Sequence, residues 1–305
     1  MNSQGYQYQP VLCTGPVVEQ AVAPPRWPSL VAAPGQGIYT PKGPLPALSH
    51  CPCQPSLKQL GLGTLALAGS RDDKLRLIRR AYSLGVRYFE TAEAEGPFHQ
   101  EVLLGEALAK VRQRVHIATK FGYRIRQDGS LAGPDSGPDH IQGVVEASLT
   151  RLGINRLDLL YQEQQDPKVP MEKVAGAVAD LVQAGKVAAF GLCAPSLDQL
   201  RRTQAVLKVS AVQWQLGHSA DVVLDPRLLA LCQTLGIALV FKGRAAVLAA
   251  FLAKAAPTLA GAKVLPVLDA GYQQELGLFP GRMDNSGAEA EPGAIEESTA
   301  SPSGP

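Results

Sequence analysis

The apolar positions of this chain fall into short runs separated by longer stretches with helical spacing. Leu62–Ala66 is followed by a helical pattern from Arg71 to Ser83, with Asp72 and Asp73 in the first turn, where negative charge suits the helix dipole. Val86–Thr91 reads as a strand and Gln100–Lys110 as a helix. Val115–Lys120 is the next strand, followed by a Gly/Asp/Pro loop and a helix over Asp139–Arg151. Leu157–Gln162 precedes a helix over Met171–Ala184, and Val187–Leu192 leads to a helix opening at Ser196, with Ser-Leu-Asp-Gln as its cap region. Ala211–Gln213 precedes a helix with Pro226 in its first turn. Ile237–Phe241 precedes an Ala/Leu-rich helix over Ala245–Ala256, and Val264–Val267 is a last apolar run before a weak helical trace at Tyr272–Leu276.

Eight alternating strand–helix units predict a parallel sheet with right-handed crossovers. Their spacing fits an α/β fold of the (β/α)₈ TIM-barrel type, in which chemistry sits at the carboxyl ends of the strands. Periodicity alone also allows a doubly wound open sheet, but no Gly-x-Gly-x-x-Gly opens the first helix, which counts against a Rossmann site. The two ends lack any period. Residues 1–56 are rich in Pro, Gln and Gly and are expected to be a disordered leader. Residues 281–305 are acidic and rich in Ala, Gly, Ser and Pro, and are expected to be a solvated, disordered tail, which leaves 57–280 for the barrel.

Composition narrows the partners. With 46% hydrophobic and 18% charged residues and a formal net charge of +2, the chain can bury a full core and gives no reason to expect nucleic acid or an anionic membrane. No apolar run is long enough to span a bilayer. Five cysteines, at 13, 51, 53, 193 and 232, are too few and odd in number for a disulfide scaffold, which favours a reducing, cytoplasmic setting. The acid-poor leader leaves an organelle address as the alternative. His50-Cys51-Pro52-Cys53 could be half of a metal site, but no second Cys/His pair lies nearby, so it is read as a thiol pair and no metal is assigned.

The candidate chemistry lies at the predicted strand ends. Lys120 closes one strand, and Glu90, Glu95 and Glu163 stand at the ends of others. Three carboxylates around one ammonium cannot all ionise cheaply in a partly dry pocket. Either one holds a proton, as a glutamate tuned upward to act as a general acid would, or the group captures a cation. The bland alternative has Glu95 pointing to solvent from its loop. Glu93 is expected to face water.

These segments resemble the aldo-keto reductase superfamily. Leu60-Gly61-Leu62-Gly63-Thr64 is similar to its opening strand. Phe89-Glu90-Thr91-Ala92-Glu93-Ala94-Glu95-Gly96, with Leu103-Leu104-Gly105-Glu106-Ala107-Leu108, resembles its Phe-Asp-Thr-Ala-x-x-Tyr-Gly … Leu-Leu-Gly-x-Ala-Leu signature. Ile117–Gly122 resembles the catalytic-lysine strand. Ser148–Gly153, Asp158–Gln162, Gly185–Gly191 and Val212-Gln213 continue the match in order.

The resemblance implies NADPH-dependent reduction of a small-molecule carbonyl, with a tyrosine as proton donor, a lysine–aspartate pair tuning it and a histidine orienting the substrate. On these positions Lys120 is the lysine, Glu90 replaces the aspartate, Glu95 the tyrosine and Glu163 the histidine. A glutamate at the histidine position accompanies carbon–carbon double-bond reduction elsewhere in the family. Thr64, Gln213, Phe241 and Arg244 are the candidate cofactor-side residues, Gln213 for the nicotinamide amide and Phe241 for ring stacking. Lys242 and Arg244 could hold a phosphate at a helix start or form a solvated basic turn.

Other positions depart from the family. Cys193-Ala194 stands where a Ser-Asn-like pair binds the nicotinamide, and no Lys or Arg lies between Leu265 and Gly281, where the family grips the adenosine phosphate. The expectation is therefore a divergent member whose ordinary NADP(H)-dependent reduction is lost or impaired, serving as a pseudoenzyme or binding subunit. The alternative is an active oxidoreductase, or a cofactor-independent acid–base catalyst, using Glu163, Glu95 and Lys120. A short final helix would leave a barrel flank open to a protein partner or a second copy.

Overall fold

The computed structural model describes residues 60–65, 67, 69–217 and 220–269. The anticipated leader, the 281–305 tail, the thiol pair at 51 and 53 and the final helix all lie outside them.

Eight parallel strands close into a barrel. In chain order the elements are β1 (Gly61–Gly63), α1 (Arg71–Ser83), β2 (Tyr88–Glu90), α2 (His99–Leu108) and β3 (His116–Phe121), then a hairpin of β4 (Tyr123–Ile125) and β5 (Leu131–Pro134). There follow α3 (Pro138–Leu152), β6 (Leu159–Gln162), α4 (Met171–Gln183), β7 (Phe190–Cys193), α5 (Leu197–Val206), β8 (Val209–Gln215), α6 (Pro226–Leu235), β9 (Ala238–Gly243), α7 (Ala245–Ala255) and β10 (Val264–Asp269). A 3-10 turn, Ala109–Arg114, extends α2. Around the barrel the order is β1-β10-β9-β8-β7-β6-β3-β2, every pairing parallel.

Local sequence explains the helix starts. Ser70 accepts from the Asp73 backbone N–H while the Asp73 carboxylate accepts from the Ser70 N–H, and Ser196 and Gln199 form the same reciprocal box at α5. Pro138 and Pro226 sit in first turns, where a missing N–H costs nothing. The Gly/Asp/Pro stretch after β3, expected as loop, instead forms the antiparallel hairpin β4–β5. Its alternation is short and only partly buried, which hides it from a hydrophobicity pattern.

Strand parity divides the core in two. Outward-facing Leu62, Phe89, Ile117, Leu160, Phe190, Val212, Leu239 and Phe241 pack against the helices. Tyr88, Ala118, Leu159, Tyr161, Ala211, Val240, Leu265 and Val267 fill the barrel interior. Two interior tyrosines need room, which glycines provide. A Cβ on Gly61 would stand 2.6 Å from the Tyr88 ring, and one on Gly191 would stand 2.5 Å from the Tyr161 ring.

Candidate active site

The inward parity that places Tyr88 and Tyr161 inside carries charged residues to the carboxyl-terminal mouth. Glu90 on β2 is fully buried, and its Oε1 lies 2.7 Å from Lys120 Nζ on β3 and 3.2 Å from Lys242 Nζ on β9. Its Oε2 accepts from Gln213 Nε2 at 2.5 Å and from the Tyr88 hydroxyl at 3.1 Å. Burial alone would raise the Glu90 pKa, but the two ammonium groups and these donors hold it down at about 2.

Glu95 turns inward. It is 8% exposed, its Oε1 lies 2.9 Å from Lys242 Nζ and 4.0 Å from Lys120 Nζ, and its Oε2 lies 3.0 Å from Thr64 Oγ1. The Thr64 hydroxyl also stands 2.9 Å from Thr91 Oγ1, so its single proton goes to the carboxylate while it accepts from Thr91. A solvent-facing Glu95 is thereby excluded. Glu163, beyond β6, lies 3.9 Å from Lys120 Nζ with 31% of its side chain exposed. Withdrawal from water outweighs the attraction of Lys120 and raises its pKa. Asp269, at the end of β10, lies 3.7 Å from Lys242 Nζ and accepts from Gln215 Nε2 at 3.0 Å, and burial raises its pKa too.

The mouth thus holds two ammonium groups and four carboxylates. Burial disfavours both lysine charges, yet the surrounding carboxylates dominate and lift Lys120 and Lys242 well above the ordinary lysine range. Glu163 and Asp269 are mouth carboxyls whose pKa values rise, first through burial and then through the neighbouring Glu95 carboxylate.

Several expected placements need correction. Lys242 is no solvated turn and does not face a phosphate: it is 1% exposed and committed to Glu90, Glu95 and Asp269. Its stem occupies space that a Cβ on Gly63 would close, at 2.7 Å from Lys242 Cε. Phe241 points away from the mouth, fully buried and packed on Trp214 (5.4 Å between ring centroids) and Phe251 of α7 (4.6 Å). No face of its ring is left for a cofactor. Glu93 does not face water. It is 9% exposed and lies 3.0 Å from Arg151, which also holds the buried Glu101 at 2.5 Å. Glu101 in turn accepts from Thr119, the neighbour of Lys120, at 2.6 Å.

Gln213 is buried at the mouth, but its amide N–H₂ is taken by Glu90 and its carbonyl accepts from Cys193 Sγ at 3.6 Å. Arg244 is half-buried at the N-cap position of α7. Asp269 and Tyr88 are site residues that sequence reasoning overlooks, and Lys242 is one that it misplaces. Strand parity carries the signal for Lys242: Ala238 and Val240 face inward, so Lys242 follows once β9 runs to Gly243 rather than stopping at Phe241.

Comparison with known proteins agrees with this architecture. The model of the aldo/keto reductase family matches residues 59–258. The soybean (Glycine max) protein named "Probable aldo-keto reductase 1" is 35% identical over 195 residues, covering 60% of this chain and 55% of its own length. The chain therefore spans about half the length of that curated relative. The glycerol dehydrogenase of Gluconobacter oxydans superposes with a TM-score of 0.55 at 28% identity, over 61% of this chain and 59% of that one. The holo form of an aldo-keto reductase from Bacillus halodurans shares the fold, with a TM-score of 0.60 at 19% identity over 72% and 85% of the two chains. Another enzyme of this fold, from Klebsiella pneumoniae, was solved with NADP and acetate (TM-score 0.51, 21% identity, 60% and 62% coverage). No described helix is long and apolar enough to cross a membrane. With its closed barrel, its ordered motifs and a family match across most of the folded segment, the chain belongs to the aldo/keto reductase family.

Proposed function

We propose that this chain does not perform the tyrosine-dependent, NADPH-linked carbonyl reduction of its relatives and serves as a pseudoenzyme or binding subunit. One observation carries the reading: the proton-donor position holds Glu95, whose carboxylate is engaged by Lys242 at 2.9 Å and Thr64 at 3.0 Å. A general acid needs a transferable proton within reach of substrate. Here the position is occupied by an acceptor tied into the barrel by the Lys242 ammonium.

The nicotinamide cofactor does not fit these residues in the family's manner. The Gln213 amide that would meet a carboxamide is bound to Glu90, and the Phe241 ring lies in the sheet–helix layer. Breaking the Gln213–Glu90 contact would take one hydrogen-bond donor from a fully buried carboxylate, a loss of roughly 1–3 kcal/mol that cofactor binding would have to offset. Titration with NADPH followed by calorimetry tests the reading. Absence of binding is expected, and micromolar or tighter affinity would overturn it.

A second reading rests on Glu163, the mouth carboxyl that combines a raised pKa, contact with solvent and 3.9 Å proximity to Lys120. In that reading Glu163 takes the α-proton of a small carbonyl compound and returns it to the resulting enolate, whose negative charge the Lys120 ammonium steadies. Turnover abolished by both Lys120→Met and Glu163→Gln would favour it. An unaffected rate in either variant would remove it.

A further inference from the structure

The opposite end of the barrel carries a charge pattern that the mouth does not explain. In a closed parallel barrel every segment leading into a strand lies at one end. Here those segments bring Arg87 to β2, Lys110, Arg112 and Arg114 to β3, Arg156 to β6, Lys186 to β7, Lys208 to β8 and Lys263 to β10. Their one carboxylate is Asp158, which is buried and paired with Arg112 at 2.7 Å. Arg87 and Arg112 are structural, donating to the Tyr82 and Val86 carbonyls and to the Val115 and Arg156 carbonyls. Lys186 pairs with Glu146.

Lys110, Arg114 and Lys208 are exposed and make no ion pair among the described residues, and neither does exposed Arg80 in the last turn of α1. Helix dipoles favour Arg80 and Arg114 at helix ends, but Lys208 and Lys263 lie outside any helical turn. The exposed acids in the C-terminal parts of the described helices are Asp180 in α4 and Glu106 in α2, the latter paired with Arg71. Two of the three large apolar side chains exposed among the described residues stand here as well: Val206, 46% exposed at the end of α5, and Leu235, 37% exposed at the end of α6. They flank Lys208 and Lys263 on the adjoining β8, β9 and β10 side of the ring.

We infer that the strand-entry end of this barrel is a docking face for an acidic polypeptide segment that also presents apolar side chains. Arginine and lysine supply directed donors for carboxylates, while Val206 and Leu235 supply the apolar contact that excludes water from a protein interface. Nucleic acid is disfavoured because no aromatic ring is among the exposed large apolar residues, so bases find no stacking platform. An anionic membrane is disfavoured because the cations come from separate segments, the end of α1, the 3-10 turn and the loops before β8 and β10, rather than from the polar face of one amphipathic helix.

A fluorescein-labelled peptide of repeating Glu-Glu-Leu, followed by anisotropy against the full chain, tests this. Binding should weaken on the order of ten-fold in K208E/K263E, beside the apolar pair, and fall with added salt. It should weaken also in V206S/L235S and stay unchanged in Glu163→Gln. The four substituted side chains at this end are exposed, so urea midpoints of these variants should match the parent; K208S/K263S replaces the charge reversal if its midpoint does not. No binding of the peptide, binding indifferent to charge reversal, or tighter binding to single-stranded RNA or phosphatidylserine vesicles would overturn the proposal.

Discussion

Lys242→Met isolates the feature on which the site depends. Methionine keeps the stem that fills the space beside Gly63 but removes the ammonium shared by Glu95 at 2.9 Å, Glu90 at 3.2 Å and Asp269 at 3.7 Å. The mouth would then hold four carboxylates against Lys120 alone. Removing one partner of a buried ion pair costs about 3–5 kcal/mol, because it leaves an uncompensated charge out of water. For a domain of this size that corresponds to a fall in Tm of roughly 6–20 °C.

The cost should depend on pH with a definite sign. Loss of the ammonium raises the folded-state pKa of the remaining carboxyls, above all Asp269, which burial already raises. The folded variant then binds protons that the unfolded chain releases. The deficit should therefore be largest near pH 8 and shrink as pH falls toward the unfolded carboxylate range. Urea unfolding at these two limits measures it, and Glu95→Gln added to Lys242→Met should recover part of the loss. A deficit under about 1 kcal/mol near pH 8 would refute the argument, since a buried ammonium between carboxylates cannot be removed so cheaply.

Other perturbations have equally definite outcomes. Gly191→Ala should destabilise by about 1–3 kcal/mol, because its Cβ would meet the rigid Tyr161 ring at 2.5 Å, while Gly143→Ala on the open face of α3 should stabilise by about 0.4–1 kcal/mol; chemical denaturation separates the two. Glu163 has a folded pKa above its unfolded value, so its contribution is greatest at low pH and is lost as pH rises through the raised pKa. Glu163→Gln should accordingly remove part of the decline in stability as pH rises above the ordinary carboxylate range, visible as a flatter profile of Tm against pH. Arg151→Met should cost about 3–5 kcal/mol by stranding fully buried Glu101 beside Glu93, and Glu101→Gln in the same chain should restore part of it in urea unfolding.

Much of the barrel was legible from residue order. Helix starts at Arg71 and Leu197 follow from Ser70 and Ser196 with their reciprocal partners three residues on, because capping is local chemistry. The hairpin β4–β5 was not legible, since short half-exposed strands lack a marked apolar period. Within the site, Lys120 and its pairing with Glu90 could be anticipated from matched motifs. The inward turn of Glu95 could not, because it depends on an ammonium 147 residues away.

By itself the sequence determined the eight barrel strands, the seven helices described between them, and the end of the barrel at which chemistry-bearing side chains gather. Those properties rest on short-range periodicity and on residue identity. Only the tertiary structure decided that Lys242 joins Lys120 among four carboxylates, that Gln213 is engaged by Glu90, and that Phe241 faces α7. Barrel closure brings β2, β8, β9 and β10 to one axis, and a two-residue difference in where β9 ends separates an inward lysine from a solvated one.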